Sequence, residues 1–160
     1  MRKLFNAFII LLAVIGSLFF SSTASASSGE FVLKKTTLDQ TKGVSITTKV
    51  YIKTEEKKNV EYYSIKKVTG TVKLLDGRTY IKGIKLRIGQ NGSYSGKPIA
   101  TQTKYEDIKA KNFFSFTSYP VSTWKPVAKT GPWSVVGSSA TVSLQRGNSK
   151  WSFNHINNLP

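Results

Sequence analysis

Cysteine is absent from the 160 residues, and histidine occurs once, as His155. Without cysteine there is no disulfide framework, no thiolate metal site and no cysteine nucleophile. One histidine and few acids leave too few ligands for a zinc site. A Ser-His-Asp triad would have to use His155, close to the C-terminal end; next to Phe153 and Asn154 it reads instead as a surface or edge-strand residue. Acids are scarce, with 8 Asp or Glu against 24 Lys or Arg, a formal charge of +16. Calcium loops need acids at fixed spacing, and the D-x-D-x-D-G pattern is missing. No cofactor and no metal are expected.

The few carboxylates offer little catalytic geometry. Glu55-Glu56 and Glu106-Asp107 are adjacent pairs, and neighbours on a strand point to opposite faces. Glycoside hydrolysis needs two carboxylates facing one another across a cleft. A distant pair such as Glu61 with Asp107 stays open. Gly83, Gly89 and Gly92 precede no helix and no Gly-Lys-Ser/Thr, so they fail the context of a phosphate-binding loop. No long amphipathic helix, no strand–helix alternation and no fixed-period repeat occurs.

What is present begins with an export signal. Arg2-Lys3 is followed by an apolar run from Leu4 to Phe20, broken only by Asn6, Gly16 and Ser17. Ala24-Ser25-Ala26 then satisfies the small-x-small rule for signal peptidase, which places cleavage after Ala26. An uncleaved anchor is the competing reading, but no basic stop-transfer cluster follows. No cysteine is available for a lipid anchor. Removing residues 1–26 leaves 134 residues, with 22 basic against 8 acidic and a net charge of +14. That length suits one domain with one core. Export without cysteine fits a bacterium with a single membrane better than disulfide-stapled secretion.

The remainder reads as strands, and the expected fold is all-β: a single antiparallel sandwich or barrel over residues 43–160, preceded by a flexible arm or first strand over 27–42. Val44, Ile46, Val50 and Ile52 alternate with Ser45, Thr47, Lys49, Tyr51 and Lys53, the pattern of a half-buried strand. Residues 55–59 form a polar turn, and Gly70 suggests a bulge or bend in the following strand. Asp76-Gly77 is the strongest hairpin signal. A three-residue loop there would put Val72 opposite Tyr80 and Val68 opposite Ile84, so that Tyr80, Ile84, Leu86 and Ile88 face the core. Lys82 would interrupt that row at an edge or bulge. Residues 89–93 read as a turn and 105–112 as one or two helical turns. Phe113 to Tyr119 is strand-like, Pro120, Pro126 and Pro132 break the next stretch, and residues 140–155 form a C-terminal hairpin.

Charge far from zero argues for an anionic partner. The outward positions Lys49, Lys53, Lys73, Lys85 and Arg87 would form one positive surface if their strands were neighbours in one sheet. The plain alternative is a soluble exterior that resists edge aggregation. A merely soluble surface mixes signs, whereas here bases outnumber acids almost threefold. A second candidate is the loop carrying Tyr119, Trp124 and Lys125, which could present its aromatics to a sugar ring or membrane interface with Lys125 beside a headgroup. Lys and aromatics on strands are also the ingredients of nucleic-acid modules. The ribonucleoprotein signature is missing, and export argues against intracellular nucleic acid while leaving extracellular DNA among the candidate polyanions.

The leading expectation is a secreted non-enzymatic protein that binds an anionic envelope polymer or an acidic membrane surface. The alternatives are a membrane-active antimicrobial or toxin-like effector, and a small secreted hydrolase or hydrolase inhibitor.

Overall fold

The computed structural model describes residues 28–109 and 113–159, so the expected export signal lies outside the described residues. They contain nine strands: β1 (Ser28–Leu38), β2 (Val44–Lys57), β3 (Val60–Leu74), β4 (Tyr80–Tyr94), β5 (Lys97–Ile99), β6 (Thr103–Ile108), β7 (Phe113–Ser118), β8 (Val135–Arg146) and β9 (Ser149–Asn158). One antiparallel sheet has the order β1-β2-β3-β7. The other has the order β5-β4-β8-β9, with β6 also paired to β4. The two sheets pack face to face in a sandwich arrangement. Val44, Ile46, Val50, Ile52, Val68 and Val72 from the first meet Ile84, Leu86, Ile88, Val136, Val142 and Leu144 from the second. Period-two alternation is the cause: along the long strands β2, β3, β4 and β8 most inward-facing side chains are apolar and turn into this shared core.

The tight turns fall where small or polar residues tolerate left-handed backbone. Lys58 and Asn59 join β2 to β3 with φ of 52° and 60°, and Ser95 and Gly96 join β4 to β5 with φ of 50° and 77°. Two successive positive φ values match the twist of a hairpin. Gly147, with φ of 54°, opens the turn between β8 and β9, the hairpin expected at the C-terminus. The turn after β1 is organised by buried Asp39. Its carboxylate accepts the Val44 N–H at 2.8 Å, the Thr41 N–H at 3.0 Å and the Thr41 hydroxyl at 2.6 Å, and Trp151 Nε1 at 3.3 Å. Burial alone would raise the Asp39 pKa, but these donors together hold it below its ordinary value.

Several expectations need correction. Asp76-Gly77 is not a hairpin: β3 pairs with β2 and β7, β4 pairs with β5, β6 and β8, and residues 75–79 carry the chain from one sheet to the other. Gly77 is not among the positive-φ residues, so the expected bulged loop is absent. Asp76 instead accepts from the Arg78 N–H and ion-pairs with Arg146 at 2.8 Å. Tyr80 accordingly points to solvent while Ile81 is buried. The register shifts between Ile81 and Gly83, which makes Lys82 the bulged residue, as its position in the row suggested. Gly70 is not a bulge, since the shift in β3 leaves out Lys66. Gly70 lies under the Phe116 ring, and a Cβ there would overlap it. Residues 89–93 are not a turn but continue β4, and Thr103–Ile108 is strand β6 rather than helix. Glu55 to Lys57 extend β2, so the polar turn shrinks to two residues. Ser28–Leu38, open between arm and strand in the sequence, is β1.

The connection from β7 to β8 contains the three prolines and crosses the sandwich. Val127 exchanges backbone hydrogen bonds with Tyr63 of β3, and Ala128 does so with Ser93 of β4. These two residues strap one sheet to the other. Gly92 permits the approach, since a side chain there would meet the Ala128 carbonyl.

Candidate functional site

Because the inner faces share a core, the outer faces look in opposite directions. The chain crosses between sheets at residues 75–79, so the five expected basic positions divide. Lys49, Lys53 and Lys73 lie on the outer face of the first sheet, whereas Lys85 and Arg87 lie on the outer face of the second. The single continuous surface built on all five therefore does not form.

On the second sheet, Lys85 stands opposite Asp107 of β6, and half-buried Arg87 stands opposite exposed Tyr105. Their neighbours across β8 are Thr141 and Ser139. This face is mostly neutral and hydroxylated, and its cations are dispersed: Lys85 beside an acid, Arg87 beside an aromatic, and exposed Lys150 out on β9 opposite Gln145.

The first sheet differs. Its register makes three parallel rungs on the outer face. Thr36, Thr47, Thr71 and Ser115 form one rung, with Thr36 and Thr47 hydroxyls 2.8 Å apart. Lys34, Lys49 and Thr69 form the next, and Val32, Tyr51 and Lys67 the third. Lys34 and Lys49 are thus directly opposed across adjacent strands and both exposed. Like charges in such a pair cost roughly 0.2–1 kcal/mol unless something neutralises them. Lys67 Nζ lies 4.7 Å from the Tyr51 ring centroid, a cation–π contact. Lys73 completes the set at the far end of β3, opposite Ser45. Among the described residues, no ion pair involves Lys34, Lys49, Lys67 or Lys73.

Lys53 is the exception on this face. It pairs with Glu55 at 2.7 Å, and Lys57 reaches the same carboxylate at 3.1 Å. Those hydrogen bonds and charges lower the Glu55 pKa. The cationic field therefore centres on Lys34, Lys49, Lys67 and Lys73 rather than running the length of β2.

The aromatic loop also divides. Tyr119 is 59% exposed. It follows Ser118, which stands opposite Val68, and so arrives beside Lys67. With Glu30, Val32, Tyr51, Lys66 and Lys67 it lines a groove of about 430 Å³. The Tyr119 carbonyl accepts from Lys104 Nζ at 2.9 Å, which fixes that end. Trp124 is half-buried and packs against the core. The backbone of Lys125 is held by two buried glutamines. Its N–H donates to Gln102 Oε1 at 2.6 Å, and its carbonyl accepts from Gln90 Nε2 at 2.8 Å and Gln102 Nε2 at 2.9 Å. Its ammonium lies 6.0 Å from the Tyr94 ring, away from Tyr119's groove. Tyr119, Trp124 and Lys125 consequently do not form one surface.

Of the carboxylates weighed for catalysis, Glu55, Glu61 and Glu106 are engaged by neighbouring side chains, while Glu56 stands opposite Glu61 across β2 and β3. Glu106 pairs with Lys104; burial would raise its pKa, but the hydrogen bond and charge of Lys104 help to hold it below its ordinary value. Glu61 accepts from the Tyr63 hydroxyl at 2.5 Å, and that bond pushes the Tyr63 pKa to about 12. His155 is not a surface residue. It is fully buried on β9, bonded through Nδ1 to Thr37 and through Nε2 to Thr48, each at 2.7 Å.

Sequence reasoning missed Lys34, Lys66, Lys67, Val32 and Tyr51 as site residues. The alternation of Phe31 and Leu33 with Val32 and Lys34 was a usable signal for an outward Lys34. Its pairing with Lys49 depends on a register that no local pattern specifies. Comparison with known protein families, curated proteins and solved structures found no match for this chain.

Proposed function

We propose that this is an exported, non-enzymatic binding protein whose first sheet presents a flat cationic face to an anionic polymer of the cell envelope. Export rests on the signal pattern of residues 1–26. The observation that carries the binding reading is the opposed pair Lys34–Lys49, flanked by Lys67 and Lys73 and without acidic partners among the described residues. A destabilising arrangement of this kind is characteristic of functional sites. A repeating polyanion laid across the strands would neutralise all four lysines together.

Acidic lipid is the alternative source of negative charge. The membrane-active reading relies on protruding apolar side chains, and Trp124, its main candidate, packs against the core. The opposed lysines on a flat Thr-rich face fit a polymer better.

The test is retention on immobilised polyphosphate and on phosphatidylglycerol vesicles across a salt series. Strong retention on the polymer that falls steeply with salt supports the reading. Retention indifferent to salt would reduce the charge to a solubility device.

A further inference from the structure

The cationic face borders a groove whose lining is chemically mixed. Val32, Tyr51 and Tyr119 supply apolar and aromatic surface, Lys66 and Lys67 supply positive charge, and Glu30 supplies one carboxylate. A volume of about 430 Å³ lies in the range of roughly 300–1,000 Å³ typical of small-ligand sites. Resting on the polyanion reading above, we infer that this groove is a sugar subsite: it seats one ring of a phosphate-bearing glycan while Lys67, Lys49 and Lys34 take the phosphate.

Two observations point to that ligand and a third is compatible with it. First, Tyr119 offers an amphipathic ring face suited to the C–H face of a sugar, next to Tyr51, whose ring already carries Lys67. Tyr119 is largely exposed, and the Lys104 bond to its carbonyl holds its backbone in place.

Second, Glu30 sits in an otherwise basic groove. A bare polyanion packed with charge would be repelled there. A polyhydroxylated ligand with spaced charges would instead give hydroxyl hydrogen bonds to the carboxylate. The groove thus distinguishes a phosphorylated glycan from naked polyphosphate.

Third, the cations beside the groove are all lysines, and the arginines among the described residues, 78, 87 and 146, lie elsewhere. Arginine's fork serves carboxylate and phosphate alike, and lysine takes phosphate as a point charge, so an all-lysine set is compatible with phosphate without selecting it. The Lys34–Lys49 rung lies directly beside the Tyr51–Lys67 rung, so three lysines occupy adjoining positions at the edge of the groove.

The experiment compares phosphomannan, neutral mannan and inorganic polyphosphate as probes, with phosphatidylglycerol vesicles as a fourth arm. Wild type is measured beside Tyr119→Ala, Glu30→Gln and the double variant Lys34→Gln/Lys49→Gln, each checked for an unchanged circular dichroism spectrum. Tyr119→Ala is expected to weaken phosphomannan binding about tenfold through lost stacking and polyphosphate binding by less than about twofold. Glu30→Gln is expected to weaken phosphomannan and tighten polyphosphate. The lysine variant should weaken both. If Tyr119→Ala and Glu30→Gln change the two anionic polymers alike while the lysine variant weakens both, the sugar subsite is overturned and the polyanion reading stands. If wild type binds neither polymer in a salt-sensitive way, or binds only the vesicles, both are overturned.

Discussion

His155 is held between the hydroxyls of Thr37 on β1 and Thr48 on β2, with Lys35 the charged group nearby. Burial first, and Lys35 second, press its pKa down to about 4 from an ordinary 6.5. The sign follows from linkage. Above pH 6.5 the ring is neutral folded and unfolded, and stability is full. As pH falls toward 4 the unfolded chain binds a proton that the folded chain refuses, so stability drops; a displacement of that size is worth about 3 kcal/mol. Thermal unfolding should show a falling Tm between pH 6.5 and 4. A His155→Gln variant should show much less slope, even if it is less stable throughout; equal slopes would contradict the account. Gly70 gives a second residue-scale test. Its missing Cβ is the space the Phe116 ring occupies, and Phe116 packs on the core. Gly70→Ala should destabilise by about 1–3 kcal/mol, the usual cost of overpacking, measured by urea unfolding.

At the scale of elements, Gln90 and Gln102 join strands to loop. Beside the bulge at Lys66, the Ile65 N–H donates to Gln90 Oε1 at 2.6 Å across the two sheets. Gln90 Nε2 and both amide atoms of Gln102 then fix the backbone of Lys125. Gln90→Leu would leave the Ile65 N–H unpaired in the interior, at a cost of about 1–3 kcal/mol. Hydrogen exchange at Ile65 should accelerate in that variant; unchanged protection would show the bond to be dispensable. These bonds also mark what local pattern can and cannot reveal. The alternation of Val44 to Lys53 and of Ala140 to Leu144 placed both strands and their inward rows correctly, because burial acts on every second residue regardless of partner. Asp76-Gly77 announced a turn but not the strand that follows it into the other sheet, since turn chemistry is local and pairing is not. Gln90 and Asn91 looked like loop residues because they are polar. They are strand residues: the Gln90 amide is paired in the interior with Ile65 and Lys125, and Asn91 Nδ2 donates to Thr103, which composition cannot show. Of the candidate site, the outward direction of Lys49, Lys53 and Lys73 was legible, while the gathering of Lys34, Lys67 and Tyr51 around Lys49 required the register of three strands.

Across the whole molecule, the excess of positive charge is unevenly expressed. The first sheet concentrates lysines without acidic partners among the described residues; the second offers Lys85 and Arg87 beside Asp107 and Tyr105. Individual exposed charges are screened and worth roughly 1 kcal/mol or less, so the face should act only as a set. Four lysines neutralised together would give a slope of roughly three in the logarithm of affinity against the logarithm of salt, by the counterion-release logic established for nucleic acids. The most direct measurement is that slope on an immobilised phosphate polymer for three proteins: wild type, the first-sheet variant Lys34→Gln/Lys49→Gln/Lys67→Gln/Lys73→Gln, and the second-sheet variant Lys85→Gln/Arg87→Gln. The account predicts that the first-sheet variant loses most of both affinity and slope while the second-sheet variant stays close to wild type; equal losses from the two variants, or a wild-type affinity indifferent to salt, would contradict it.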